Sequence, residues 1–194
     1  MALPKLTNTP TRHPDLCLSI STKLLQTLTT ILTNTNGGPV TADNFILSVG
    51  SGSGMLEAHL QQHLNALPRP WSTCFTVKGV EVSSATLKPM NKYLPASQAL
   101  SVRGTWEVCP FVAAADTLMF VYPRDPGLVN QYLKPKAGAP HPLRVVLWLG
   151  PRADWDVFGG CFRDVEGFGE VEVMEGEAGA GVAEFEMVAV LRRR

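Results

Sequence analysis

The chain has 194 residues, enough for one domain with a substantial core, and its 45% hydrophobic and 8% aromatic residues are those of an ordinary globular protein. Seventeen basic and seventeen acidic side chains cancel to zero, so no global field draws the chain to nucleic acid or an anionic membrane, and neither is expected as a partner. Cys17, Cys74, Cys109 and Cys161 are scattered with no C-x-x-C pair, which argues against a zinc ribbon or a disulfide framework and makes a reducing, cytoplasmic setting the expectation. No apolar run approaches the ~18 residues that cross a bilayer, and no signal-peptide core is expected at the N-terminus.

From Asp15 to about Leu32, apolar residues recur at Leu16, Ile20, Leu24, Leu28, Ile31 and Leu32, a spacing that predicts one amphipathic helix packed against a sheet. Asn34, Asn36, Gly37, Gly38 and Pro39 follow as turn formers, so the stretch 33–43 reads as a connection and not a domain boundary. Phe45 to Val49 is an apolar run that predicts a strand, and it breaks into Gly50-Ser51-Gly52-Ser53-Gly54. Leu56, Leu60, Leu64 and Leu67 then recur at helical spacing until Pro68-Arg69-Pro70.

Phe75 to Val82 predicts a second strand, and Ser83-Ser84 caps a helix expected to run to about Tyr93. Ala99 to Val102, Thr117 to Tyr122 and Leu143 to Leu149 predict three more strands. The last third changes character: Gly169 to Val173 alternates, a Gly/Ala/Glu-rich turn follows at 176–181, and 183–191 forms another strand, an antiparallel pair. Short apolar runs alternating with helical segments predict a mostly parallel sheet covered on both faces, a three-layer αβα sandwich with a C-terminal antiparallel hairpin. A single domain over 1–194 is expected, with 1–43 as an N-terminal helical segment and connection and 44–194 as the core.

The glycine run carries the functional signal. Glycine accepts φ > 0 and lets a ligand approach the backbone, while the following helix offers free N–H groups at its N-terminus. The spacing is not the G-x-G-x-x-G of a dinucleotide site, because Met55 stands where the third glycine belongs, and no lysine follows as in a Walker A loop. No G-x-S-x-G elbow supports a serine hydrolase. Glu81, near the end of the second strand, is placed where parallel sheets bind ligands and where a carboxylate accepts two hydroxyl donors.

Ile46-Leu47-Ser48-Val49-Gly50-Ser51-Gly52-Ser53-Gly54 resembles motif I of the class I S-adenosylmethionine-dependent methyltransferases, h-h-D/E-h-G-x-G-x-G, with Ser48 at the place of the acid. Gly79-Val80-Glu81-Val82 is similar to the family's motif II. The resemblance implies a Rossmann-like methyltransferase fold over about 45–191 and S-adenosylmethionine as cofactor, leaving S-adenosylhomocysteine. It implies cofactor contacts at Ser48, Gly50, Ser51, Gly52, Gly54, Glu81 and Val82. Thr105 stands where the family often has an acid near adenine, with Trp106 beside it, and Tyr122-Pro123-Arg124-Asp125-Pro126 falls at motif IV without the signature of base-modifying members.

Tyr122 and Asp125 are therefore the catalytic candidates for a proton transfer, with Tyr122 also beside the cofactor; Asp125-Pro126 equally reads as a helix start. Trp106 is as readily a core residue as an adenine platform. His59 and His63 share a helix face at a zinc-like spacing, but no third ligand can be named, and a solvated face is the better reading; no metal is expected. Of the proline-flanked His13 and His141, either reaches the site only if its loop folds over it, and the segment 16–32 is the candidate lid. The expected activity is methyl transfer to a small-molecule acceptor. The alternative is a methyltransferase-like chain that has lost transfer and serves as a binding or regulatory module or runs another reaction in the pocket, and a nicotinamide oxidoreductase comes last. Oligomeric state is not legible.

Overall fold

The computed structural model describes residues 1–34, 44–83, 90–134 and 142–194. A small antiparallel hairpin of β1 (Thr11–His13) and β2 (Leu16–Ile20) opens the chain and leads into α1 (Thr22–Thr33). The core follows as β3 (Asn44–Val49), α2 (Met55–Asn65), β4 (Phe75–Val82), β5 (Ala99–Val102), β6 (Thr117–Val121), α3 (Pro126–Leu133) and β7 (Val145–Pro151). It ends with the short α4 (Trp155–Phe158), β8 (Phe168–Glu175), the one-turn α5 (Gly176–Gly179) and β9 (Glu186–Arg193).

Seven strands form one sheet in the order β5-β4-β3-β6-β7-β9-β8. All neighbours run parallel except β9, which is antiparallel to both β7 and β8. Successive residues of a strand point to opposite faces, so the central strands feed two cores. Ile46, Met119, Leu147 and Val188 pack with Leu24, Leu28, Leu56 and Leu60 of α1 and α2. Leu47, Phe120, Trp148 and Ala189 pack on the other face with Val129 and Tyr132 of α3 and with Phe158 and Phe162. The three-layer arrangement with its C-terminal hairpin is the one the pattern predicts.

The single helix expected from Asp15 to Leu32 is instead a strand and a helix. Ser21 has extended backbone (φ −146°), and its hydroxyl accepts the Leu24 N–H at 3.0 Å, an N-cap that starts α1 at Thr22. Leu16, Leu18 and Ile20 upstream alternate with a period of two, and Thr11 pairs with Ile20 and His13 with Leu16. The turn formers at 35–43, most of the helix expected after Ser83, and His141 lie outside the described residues; Met90 to Tyr93 form a turn. Helix α4 and its flanking 3-10 turns, which supply Phe158 and Phe162 to the core, carried no periodic signal. No described helix is long and apolar enough to cross a membrane.

Two carboxylates lie inside this core. Glu186, at the start of β9, is fully buried and accepts from the backbone N–H of Ser19 (3.2 Å) and Ala183 (3.1 Å) and from the hydroxyls of Ser19 and Tyr122. It ties β2 to β9 across the whole chain length. Glu57, in the first turn of α2, accepts the Ser48 hydroxyl at 2.5 Å through Oε1, while its Oε2 is buried without a partner among the described residues. Burial pushes its carboxyl up to about 7; the Ser48 hydrogen bond opposes that and the charge of Glu81 adds to it.

Glu186→Ala leaves at least two buried N–H groups and the Tyr122 hydroxyl unsatisfied, and urea denaturation is expected to register a loss of about 3 kcal/mol; a loss under about 1 kcal/mol contradicts that role. For Glu57 the folded pKa of about 7 lies above the ordinary 4.5, so its contribution is fully present below pH 4.5 and is lost as pH rises through 7. Glu57→Gln, which keeps the neutral form, is expected to match the parent near pH 4.5 and to exceed it at pH 8 by up to about 3 kcal/mol in thermal melts.

Candidate functional site

The sheet reverses direction of growth at β3, whose neighbours are β4 on one side and β6 on the other. Helices α2 and α3, which follow β3 and β6, pack on opposite faces of the sheet, the arrangement in which open parallel sheets bind ligands at the strand ends. The glycine turn fills this position. Gly50, Gly52 and Gly54 have φ of +77°, +57° and +77°, conformations that side chains with a Cβ rarely adopt. A Cβ at Gly50 or Gly52 would meet nothing within 4 Å, so backbone there faces open space; one at Gly54 would strike Leu94 at 2.8 Å.

Glu81 and the turn form one unit. Glu81 Oε2 accepts the Gly52 N–H and Oε1 the Val82 N–H, each at 2.8 Å. The N–H groups of Gly50 and Ser51 bond the Val80 carbonyl at 3.0 and 3.3 Å, which pins the turn to β4. Ser51 donates its hydroxyl to Asn91 Oδ1 at 2.6 Å, and the Asn91 side chain reaches back to the Gly79 carbonyl. Asn91, itself at φ +54° and buried, also bonds the Gly52 carbonyl through its N–H at 2.8 Å. Sequence reasoning passed over Asn91; its signal was only that asparagine tolerates left-handed backbone.

Ser48 is fully buried, and its hydroxyl is directed to Glu57 beneath the turn. Asp15, in the hairpin turn just before the candidate lid 16–32, lies against the glycine turn from the other side. Ser53 donates to the Asp15 carbonyl at 2.7 Å, Tyr93 to Asp15 Oδ2 at 2.9 Å, and Lys92 pairs with Asp15 Oδ1 at 2.7 Å. The bond from Lys92, then that from Tyr93, holds the Asp15 carboxyl below its ordinary value.

Thr105 and Trp106 sit on the exposed loop after β5; Trp106 is 72% exposed, its ring covering Gly104, and so belongs to no core. Tyr122, directly after β6, has φ +49°, an outlier for a bulky residue, and donates its hydroxyl to Glu186 at 2.5 Å. Burial, then that hydrogen bond, raises the Tyr122 pKa well above its usual value. Asp125 caps α3, accepting the Gly127 N–H at 2.7 Å. The solvated reading of the histidine face does not hold for His59, which is buried with Nε2 unpartnered among the described residues, and burial lowers the pKa of both His59 and His63. No group of described residues could hold a metal ion. Beyond the ends of β7 and β9 lies a groove of about 1000 Å³ with Trp155, Phe185 and Met187 on its walls and Arg152, Asp156 and Glu175 at its polar part.

No family profile and no curated protein matches the chain. Solved structures do. The methyltransferase domain of bacterial CtHen1 superimposes with a TM-score of 0.57 at 14% identity, covering 88% of this chain and 97% of that one. A TehB-like SAM-dependent methyltransferase from Corynebacterium glutamicum gives 0.54 at 13% identity over 89% and 88%. The 23S rRNA methyltransferase ErmE gives 0.50 at 15% identity over 91% and 69%. The last overturns one expectation drawn from composition: a nucleic-acid partner is not excluded, because this fold serves an enzyme of ribosomal RNA, and a zero net charge sums over the whole surface without describing any one patch of it. With the sheet order and the terminal hairpin, these likenesses establish that the chain has the fold of the class I S-adenosylmethionine-dependent methyltransferases.

Proposed function

We propose that the chain binds S-adenosylmethionine across the carboxyl ends of β3 and β4 and transfers its methyl group to an acceptor. The observation that carries this reading is the joined Glu81 and glycine turn, with open space over Gly50 and Gly52. The residues present fit the cofactor: a strand-end carboxylate suits a ribose diol, and left-handed glycines ahead of a helix N-terminus suit a charged amino-acid end. Ribose hydroxyls would take the place of the Gly52 N–H on Glu81 Oε2, with Val82, Ser51 and Gly54 shaping the walls. Thr105 and Trp106 are the candidates nearest in sequence for the adenine side.

When bound, S-adenosylmethionine supplies an electrophilic methyl carbon, so the protein's task is alignment of a nucleophile with it. A small-molecule acceptor is supported by the groove beyond β7 and β9, whose volume of about 1000 Å³ and aromatic walls suit an organic ligand. The side chains of Tyr122 and Asp125 are engaged with Glu186 and with the start of α3, which favours orientation over proton abstraction at this edge. The same engagement favours a second reading, binding without turnover.

Titration calorimetry is expected to find sub-millimolar binding of both S-adenosylmethionine and S-adenosylhomocysteine, and Glu81→Gln to weaken each at least about tenfold, the worth of one hydrogen bond to a charged group. Absence of binding removes the cofactor assignment, and equal binding by the variant removes Glu81 from it. Mass spectrometry of small amines, phenols and RNA incubated with protein and cofactor separates transfer from binding alone.

A further inference from the structure

The groove beyond the ends of β7 and β9 has a charge bias as well as an apolar lining. Its aromatic walls are held in place by the fold. Trp155, on α4, rests against Trp148 and Phe162, with ring centroids 5.1 and 5.4 Å away, and lines the groove with its remaining surface. Phe185, just before β9, is 48% exposed, and its backbone is fixed by the Arg152 N–H, which its carbonyl accepts at 2.8 Å. A ring this exposed contributes little to the core, while a π face in a hollow of about 1000 Å³ suits an organic ligand.

Four charged side chains line the same hollow: Arg152, Asp156, Glu175 and Glu184. Arg152 and Glu175 pair at 3.3 Å and cancel. Glu184, in the connection before β9, accepts the Glu177 N–H at 3.3 Å, and Asp156 stands exposed on α4. Two carboxylates on different elements are thus left without a counter-ion among the described groove residues. The fold also shows what the Phe185 face takes: Arg12 of β1 holds its guanidinium carbon 4.9 Å from the ring centroid. With Arg12 counted, Asp156, Glu175 and Glu184 still outnumber Arg12 and Arg152. Glu186, the residue after Phe185, accepts the Tyr122 hydroxyl, so Phe185 is one residue from the group that fixes the edge after β6.

We infer that this groove is a binding site for an organic cation, a protonated amine or quaternary ammonium carried on an aromatic or alkyl body. The body lies against Trp155, Phe185 and Met187, and the charge faces Asp156 and Glu184. This deepens the acceptor reading above and rests on it for the ligand's role as methyl acceptor, but not for its binding. Binding is non-covalent and leaves every bond as it is. Arg12 is the one cation the ligand meets on Phe185, so it opposes a cationic ligand and selects for those able to share or displace it.

Three probes with one phenyl body and three charges test this by calorimetry on the full chain at low salt and neutral pH: 2-phenylethylamine, 2-phenylethanol and phenylacetate. The amine is expected to bind about tenfold more tightly than the alcohol, the combined worth of a cation–π contact and two exposed ion pairs, and phenylacetate to bind most weakly. The double variant Asp156→Asn with Glu184→Gln is expected to reduce the amine's lead to about threefold or less and to leave the alcohol unchanged. Arg12→Ala is expected to strengthen the amine by about twofold and not the alcohol, and Phe185→Ala to weaken all three. These side chains are exposed, and the probe series on the wild-type protein decides the charge preference even without a variant. Equal affinity for the three probes, a reversed order, no binding, or binding that Phe185→Ala leaves unchanged overturns the assignment. Amine binding is expected to persist with S-adenosylhomocysteine saturating; mutual exclusion overturns the role as acceptor site. Amine binding by a protein that does not bind S-adenosylhomocysteine removes the cofactor reading and leaves the cation groove standing.

Discussion

Three left-handed residues within five, at the carboxyl end of the central strand, are the constraint from which the rest of this site follows. The chain has to leave β3 sharply enough to bring the N-terminus of α2 over the sheet edge, and only glycine does this repeatedly without backbone strain. Once the turn is made, its N–H groups require acceptors, and they find them on the neighbouring strand in the Val80 carbonyl and the Glu81 carboxylate. The parallel pairing of β3 with β4, Val49 beside Val80, is what places those acceptors at the right height. Asn91 and the Asp15 hairpin then close on the turn by hydrogen bonds to its remaining carbonyl and hydroxyl groups.

The two buried carboxylates show how differently one core treats the same functional group. Glu186 is surrounded by donors and works as a fastener between the hairpin, β9 and the loop after β6. Glu57 has one hydroxyl and, among the described residues, no partner for its second oxygen, and burial disfavours its ionised form.

The edge beyond β6 has a different character. Tyr122 holds an unfavourable backbone conformation because its amide bonds Leu149 and its hydroxyl bonds Glu186, which together over-determine the residue. Asp125 completes the start of α3. The hydrogen bonds of Tyr122 and Asp125 thus fix the chain at this edge.

Periodicity and turn chemistry in the sequence were sufficient for the strands of the sheet, the helix after the glycines and the parallel-then-antiparallel plan, because each depends on local alternation of apolar residues or on residues within one turn. They were sufficient also for placing Glu81 beside Gly50, Gly52 and Gly54 at one sheet edge, since strand ends in such sheets share an edge. Tertiary structure alone decided that 16–20 is a strand, because its pairing partner is the weak segment 11–13 and the helical spacing of its leucines coincides with a period of two. It alone turned Ser48 inward to Glu57, buried His59, left Trp106 in solvent and brought Asn91 and Asp15 to the turn. Those outcomes depend on contacts between residues far apart in the chain, where pattern and propensity carry no distance information.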